Sequence, residues 1–188
     1  NIDKAVTLGW ENLDDQIWII GSSNSESTLA ASSYLEYFHG LVTGRPPKID
    51  LQDEKYCQSF LREAIWDDYI VSSHDVGDGG LAVALAECCV TSSKGATIEL
   101  DSKNIRADNL LFSEGGSRIV FSINKKQESK FLNFIKQKST KFSQNIYLKK
   151  IGFVSKENLN ISLNDRVLCN IRVDVLTEKF NDSISRRL

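Results

Sequence analysis

Apolar positions along this chain recur with two periods, close to two and close to 3.6 residues, and the switches between them predict its elements. Gln16-Ile17-Trp18-Ile19-Ile20-Gly21 is a short β-rich run ended by glycine and reads as a strand, followed by a polar loop over 22–28. From Leu29 the spacing of Leu29, Ser32, Tyr34, Leu35 and Phe38 suits a helix that stops around His39-Gly40, with glycine as its C-terminal cap. Gly44-Arg45-Pro46-Pro47 is a break. Beyond it, 47–51 leads into a second helix with Asp53 as N-cap and Phe60, Leu61, Ala64 and Ile65 on its buried stripe. Tyr69 to Ser73 is a strand, and after the glycine-rich turn 74–80 the residues Leu81, Ala84, Leu85 and Cys88 fall at helical spacing. Gly95 to Leu100 and Ser117 to Ile123 are strands, with Leu110 to Ser113 leading into Glu114-Gly115-Gly116. A helix is expected from Gln127 to about Lys138, and extended chain over 146–154. Then comes a hairpin, 159–163 with 167–173, whose turn holds Asn164-Asp165. Leu176 to Leu188 closes the chain as a helix with Phe180, Ile184 and Leu188 inward.

Hairpins mixed with crossover units predict an α+β fold, a mixed sheet covered by helices, rather than a purely parallel doubly wound sheet. With 188 residues, 41% hydrophobic and 26% charged, the chain suits one soluble domain. Residues 1–15 read as a lead-in segment. The formal charge of −2 gives no global basic field for nucleic acid or an anionic membrane. No apolar run approaches the ~20 residues of a membrane span, and 1–15 has no targeting pattern, so a cytoplasmic protein is expected. Charge is uneven: 1–75 holds 13 acids and 5 bases, whereas 125–150 holds eight lysines and one acid, Glu128. This is a solvated face or a docking face for an acidic partner. Cys57, Cys88, Cys89 and Cys169 lack zinc-site spacing and read as reduced packing residues, and two histidines leave little for a metal site. The chain has no Met, even at position 1: it is a piece of something longer, or its modified methionines are missing from the sequence.

Two stretches could carry chemistry. In Ser72-Ser73-His74-Asp75-Val76-Gly77-Asp78-Gly79-Gly80-Leu81, glycines at a strand-to-helix turn let backbone amides face a phosphate. Asp75 and Asp78 would repel a bare phosphate unless a divalent cation or the helix N-terminus offset them. Alternatively Asp78 caps the helix while His74 and Asp75 hydrogen-bond across the turn. Neither the Walker lysine pattern nor the dinucleotide fingerprint is present. In Phe112-Ser113-Glu114-Gly115-Gly116-Ser117-Arg118, Glu114 could accept ligand hydroxyls and Arg118 anions, or the stretch is a β-turn with an Arg118–carboxylate pair. A third stretch, 29–34, offers small residues for close packing. No Gly-x-Ser-x-Gly elbow exists, His39 reads as a helix C-terminal residue, and no catalytic group is assigned.

His74 to Glu87, His-Asp-Val-Gly-Asp-Gly-Gly-Leu-Ala-Val-Ala-Leu-Ala-Glu, resembles the C-terminal region of the phosphoribosylformylglycinamidine synthase family, departing only at Gly77, where the family has serine. Leu29 to Leu35 resembles the family's Leu-Gly-Gly-Ser-Glu-Tyr-Leu, Arg45-Pro46-Pro47 with Asp50-Leu51 its Pro-x-x-Asp-Leu, and Leu111 to Glu114 its Leu-Phe-Ser-Glu-Ser. The resemblance implies three layers with a mixed sheet, like the C-terminal domain of aminoimidazole ribonucleotide synthetase. It also implies upstream synthetase domains, because the complete enzyme has two tandem halves and this chain is similar to the last of its four domains. That enzyme uses ATP, Mg2+ and ammonia, supplied by a glutaminase, to convert formylglycinamide ribonucleotide to its amidine. By the same resemblance its catalytic histidine and most nucleotide and metal ligands lie in the other domains. Ser113-Glu114 is then the counterpart of a substrate-touching motif, with Gly115 and Gly116 in place of serine and glutamine, and Ala30, Ala31 and Ser33 replace two glycines and a glutamate. The implied role is to shape a pseudo-symmetric second site, an anion still able to meet the amides around Gly79-Gly80. The other readings are a related ATP-using enzyme of the superfamily, or a non-catalytic binding or assembly module.

Overall fold

A strand buried along its whole length organises the molecule. β1 (Gln16–Ser22) has no exposed position. Ile17 and Ile19 enter one core and Trp18 and Ile20 the other, following the two-residue period of a strand. Burial on both faces is why this run shows no polar alternation. In the computed structural model, which describes residues 2–22, 28–138 and 146–185, β1 lies inside a seven-stranded sheet. The other strands are β2 (Ile70–Asp75), β3 (Gly95–Leu100), β4 (Arg118–Ile123), β5 (Ile146–Ser155), β6 (Asn158–Leu163) and β7 (Arg166–Arg172). The order is β2-β4-β1-β5-β3-β6-β7, antiparallel throughout except for the parallel β3–β6 pair. Thr7 adds a parallel bridge to Ser72 on the outer edge of β2.

Helices cover both faces, which gives the three layers of the expected α+β fold. On one side α3 (Gly80–Ser92), α4 (Ala107–Phe112) and α6 (Val173–Ser185) bring Leu81, Leu85, Leu111 and Val173 against Ile98, Val120 and Ile161. On the other, α2 (Leu51–Trp66) and α5 (Glu128–Lys138) pack Phe60, Ala64, Phe131 and Phe134 over Trp18 and Phe121. The lead-in segment takes part as well: Trp10 is in the first core, its Nε1 donating to Cys89 Sγ at 3.3 Å. A further helix, α1 (Ser33–His39), contributes no buried residue.

Several expectations are corrected. α1 begins at Ser33 rather than Leu29, because Ser32 Oγ caps it by accepting from the Leu35 amide; Gly40, at φ 64°, ends it as expected. α2 is capped by Asp50, not Asp53: Asp50 Oδ1 accepts from the amides of Gln52 and Asp53 at 2.9 and 3.1 Å. Asp53 is buried at the helix's third position and accepts from Ser22 Oγ at 2.6 Å. α4 is a helix where the sequence predicts only a lead-in to the 114–116 turn. Phe180 is 57% exposed rather than inward, because α6 makes its buried contact at Val173 and the turn 178–181 is exposed all round. The loop residues 23–27, the Ile184 side chain and Leu188 lie outside the described residues. Asn164 and Asp165 form the hairpin turn at φ 47° and 64°, the left-handed pair that two-residue loops favour.

The cap assignment has a measurable consequence. Asp50→Ala is expected to cost about 1 kcal/mol, as loss of an N-cap carboxylate does, and Asp50→Asn much less. Chemical denaturation of the three proteins checks this, and an Ala variant as stable as the parent would remove Asp50 from that role.

Candidate functional site

The two stretches singled out from sequence meet in space, and the third joins them. β2 delivers His74 and Asp75 to the rim of the sheet, Val76 tucks into the core, and the chain reverses through Gly79 and Gly80, both left-handed at φ 77° and 70°. Gly80 lies so close to the end of α4 that a Cβ there would sit 2.7 Å from both the Leu111 carbonyl oxygen and the Phe112 carbonyl carbon. This contact carries 111–114 to the N-terminus of α3. Glu114 then reaches over it, Oε1 accepting from the Gly79 amide at 2.8 Å and from the Ser33 amide at 2.8 Å.

The electrostatics explain that arrangement. Helix N-termini present unpaired N–H groups and positive dipole ends, which favour an anion. Glu114 supplies one from within the chain, serving α3 and α1 with a single carboxylate oxygen. The expected cap Asp78 makes no such bond; the N-cap position of α3 is Gly79, which has no side chain to cap with, and Asp78 and Asp75 are exposed on the rim. His74 fixes the turn from behind, Nε2 lying 2.8 Å from Glu87 Oε2 on α3 and Nδ1 3.3 Å from Asp75 Oδ1.

Arg118 also departs from expectation. Its partners are backbone carbonyls rather than a carboxylate, because Glu114 is turned to the helix amides: Nη2 donates to Ser113 O, and Nε to Gly115 O at 3.3 Å. The guanidinium is buried, and desolvation lowers its pKa from the ordinary value against the opposing influence of Tyr147. It holds the 113–117 loop in shape from beneath. Ser113 Oγ is buried without a hydrogen-bond partner, one of two such side-chain atoms among the described residues. Ser117, at φ 60°, donates through Oγ to Glu54 Oε2 at 2.6 Å, which ties the loop to α2. Sequence reasoning did not find the Ser33, Glu54 and Ser22–Asp53 contributions. Their partners stand 81, 63 and 31 positions away, and no local pattern links residues at such separations.

Other candidates settle into structure. All four cysteines are free, and burial pushes the Cys57 thiol up to about 12 and Cys89 up to about 11, which leaves them protonated at neutral pH. Among the described residues no cluster of three or more His, Cys, Asp or Glu gathers to hold a metal ion. No described helix is long and apolar enough to cross a membrane. In the lysine-rich region Lys138 pairs with Glu63, Lys149 with Asp101 and Lys150 with Glu128, which favours the solvated-face reading.

Known proteins share both sequence and fold. The chain is 71% identical over 185 residues to the phosphoribosylformylglycinamidine synthase subunit PurL of Prochlorococcus marinus subsp. pastoris, covering 98% of this chain and 24% of that protein. It therefore spans about a quarter of the length of that curated relative. Among solved structures, Thermotoga maritima PurL complexed with FGAR superimposes with a TM-score of 0.74 at 17% identity, covering 93% of this chain and 30% of that one. The same protein complexed with ATP gives 0.69 at 16% identity, covering 93% and 27%. At these identities the likeness to the solved structures is one of fold. Residues 14–146, which include the glycine turn, Glu114 and Arg118, match the model of the AIR synthase related protein C-terminal domain, and the chain belongs to that family.

Proposed function

We propose that this chain serves as the C-terminal domain of an ATP-dependent carbon–nitrogen ligase that converts formylglycinamide ribonucleotide, ATP and glutamine-derived ammonia to the amidine in the cytoplasm. The observation that carries this reading is the 71% identity, sustained along 98% of the chain, to a curated synthase subunit. Its partners are upstream synthetase domains and a glutaminase. The domain's own part is to shape and support a second, pseudo-symmetric site, without turnover by itself.

Local geometry supports a supporting role. The amide of Gly79, which a phosphate would seek, is already bonded to Glu114, so an arriving anion meets a carboxylate in possession. A nucleotide phosphate would engage the outer rim, where Gly79 and Gly80 turn and Asp75 and Asp78 are exposed. Those two carboxylates are too few for a metal cage, so Mg2+ would come with the nucleotide's phosphates rather than reside here. On the substrate side the half-exposed Glu114 is the group a ligand would meet, with buried Ser113 and Arg118 shaping its loop from beneath and His74 bracing the turn.

The test is substitution of this chain for the matching segment of the Prochlorococcus synthase. Retained ATP- and ammonia-dependent amidine formation is the expected result. A folded chimera without turnover would overturn the assignment, and turnover by the 188-residue chain alone would overturn its supporting role. Calorimetric titration of the chimera with Mg-ATP, before and after Asp78→Ala, then asks whether the rim meets phosphate.

A further inference from the structure

The helices of this domain differ in where their caps come from. α1 and α2 are capped by the residues just before them, Ser32 and Asp50. α3 has glycine at its N-cap, and the carboxylate on its first amide comes from Glu114, 35 positions away and half-exposed on a separate loop. A cap borrowed over that distance can leave without unwinding the helix it serves. Little holds it there: Glu114 accepts through Oε1 from the Gly79 and Ser33 amides, and no side chain among the described residues pairs with it. The backbone on either side is fixed, because Arg118 donates to the carbonyls of Ser113 and Gly115. Release therefore needs only the rotation of one side chain, a fast motion for a group in contact with water. An independent sign comes from the neighbouring residue. Ser113 is 1% exposed and its Oγ has no hydrogen-bond partner, so the loop with Glu114 seated leaves a buried hydroxyl unmet.

We propose that Glu114 is an internal competitor for the oxyanion of a phosphorylated ligand: it closes the Gly79 amide in the resting domain and swings out when a phosphate group takes its place. The seat suits an anion, since it already holds one against a helix amide and a helix dipole. The proposal rests on the reading of the glycine turn as a nucleotide-facing rim and adds regulation to it. Ligand affinity falls in proportion to the fraction of time the seat is vacant. A coupling follows as well. The oxygen that leaves Gly79 also leaves the Ser33 amide, and α1, which has no buried residue, loses a bond at its first turn. Phosphate at the turn thus loosens α1, and whatever firms the Ser33 bond opposes phosphate by the same factor. Asp75 and Asp78 are exposed on the same rim and repel anions, but neither occupies the Gly79 amide, which separates their effect from that of Glu114.

Amide NMR titration of the 188-residue chain with inorganic phosphate, at fixed ionic strength, tests this in the parent, Glu114→Gln and Asp78→Asn. Glutamine keeps a carbonyl oxygen for the two amides and loses only the charge that secures the seat. The expected result is a phosphate-dependent shift of the Gly79 resonance, with Glu114→Gln binding roughly five-fold or more tightly than the parent and Asp78→Asn within about two-fold of it. In the parent, phosphate should speed hydrogen exchange at Ser33. Equal tightening by the two variants would reduce Glu114 to one more rim charge and overturns the proposal. So does a Gly79 resonance in Glu114→Gln that phosphate never moves, or Ser33 exchange that fails to rise when the parent is half-saturated. Turnover by the chimera depends on none of these results, so the wider functional reading stands or falls separately.

Discussion

Gly80→Ala is expected to be among the most damaging single-methyl additions this domain can receive. The residue is left-handed at φ 70°, a conformation that costs a side-chain-bearing residue about 1–3 kcal/mol. The added Cβ would also lie 2.7 Å from the Leu111 carbonyl oxygen and the Phe112 carbonyl carbon, and these are backbone atoms with no rotamer to give way. Together the two effects amount to about 3 kcal/mol, a drop of roughly 6–12 °C in melting temperature for a domain of this size. Gly77 supplies the control. A Cβ there meets only Asp75 Oδ2, at 3.7 Å, so Gly77→Ser is expected to stay within about 0.5 kcal/mol of the parent. Calorimetric scans of the three proteins decide the matter. Equal melting of Gly80→Ala and the parent would show that α3 does not need its close approach to α4.

Glu114→Ala removes the acceptor shared by the Ser33 and Gly79 amides and is expected to cost about 2 kcal/mol, the scale of charge-assisted hydrogen bonds lost from two helix ends. Glu114→Gln retains a carbonyl oxygen and should recover about half of that, because the amides keep a partner while the dipoles lose their charge. Location distinguishes this from ordinary destabilisation. Amide hydrogen exchange should accelerate first at Ser33 and through α1, which has no buried side chain to hold it, and only afterwards in the sheet. Exchange that rises uniformly across the domain would argue against a specific pin. Salt should also weaken the parent's advantage over the Gln variant, since part of it is the interaction of a half-exposed carboxylate with helix dipoles.

Much of the architecture was legible because local chemistry and global fold agree. The run 16–21 is apolar on both sides because β1 separates two cores; Gly40 ends α1; Asn164-Asp165 turns the hairpin. What escaped reading was decided at a distance. Asp50 and Asp53 stand three apart and either could cap α2; burial of Asp53 against Ser22 on β1 settles it. α4, six residues long, is too short to display a period. Phe180 sits at helical spacing from Val173, yet the turn that carries it is exposed on all sides. At the site, the sequence separated the glycine turn from Ser113-Glu114 and offered each a ligand. The fold instead turns Glu114 toward the turn itself, a partnership across 35 positions that no spacing rule announces.

The place of β1 in the sheet governs the order in which the domain can be made. This strand is synthesised before both of its partners, since Gln16 pairs with Ile123 on one side and with Phe153 on the other. Ile17 to Ile20 must therefore wait, unpaired and wholly apolar, until more than a hundred further residues have been synthesised. During that interval they form a β-prone segment without charge or proline, the kind that associates with its own copies. Yield in a cell should thus depend on how quickly translation reaches β4 and on how well chaperones shelter the waiting strand. Slowing elongation between residues 22 and 118 is the manipulation most apt to send the newly made protein into aggregates.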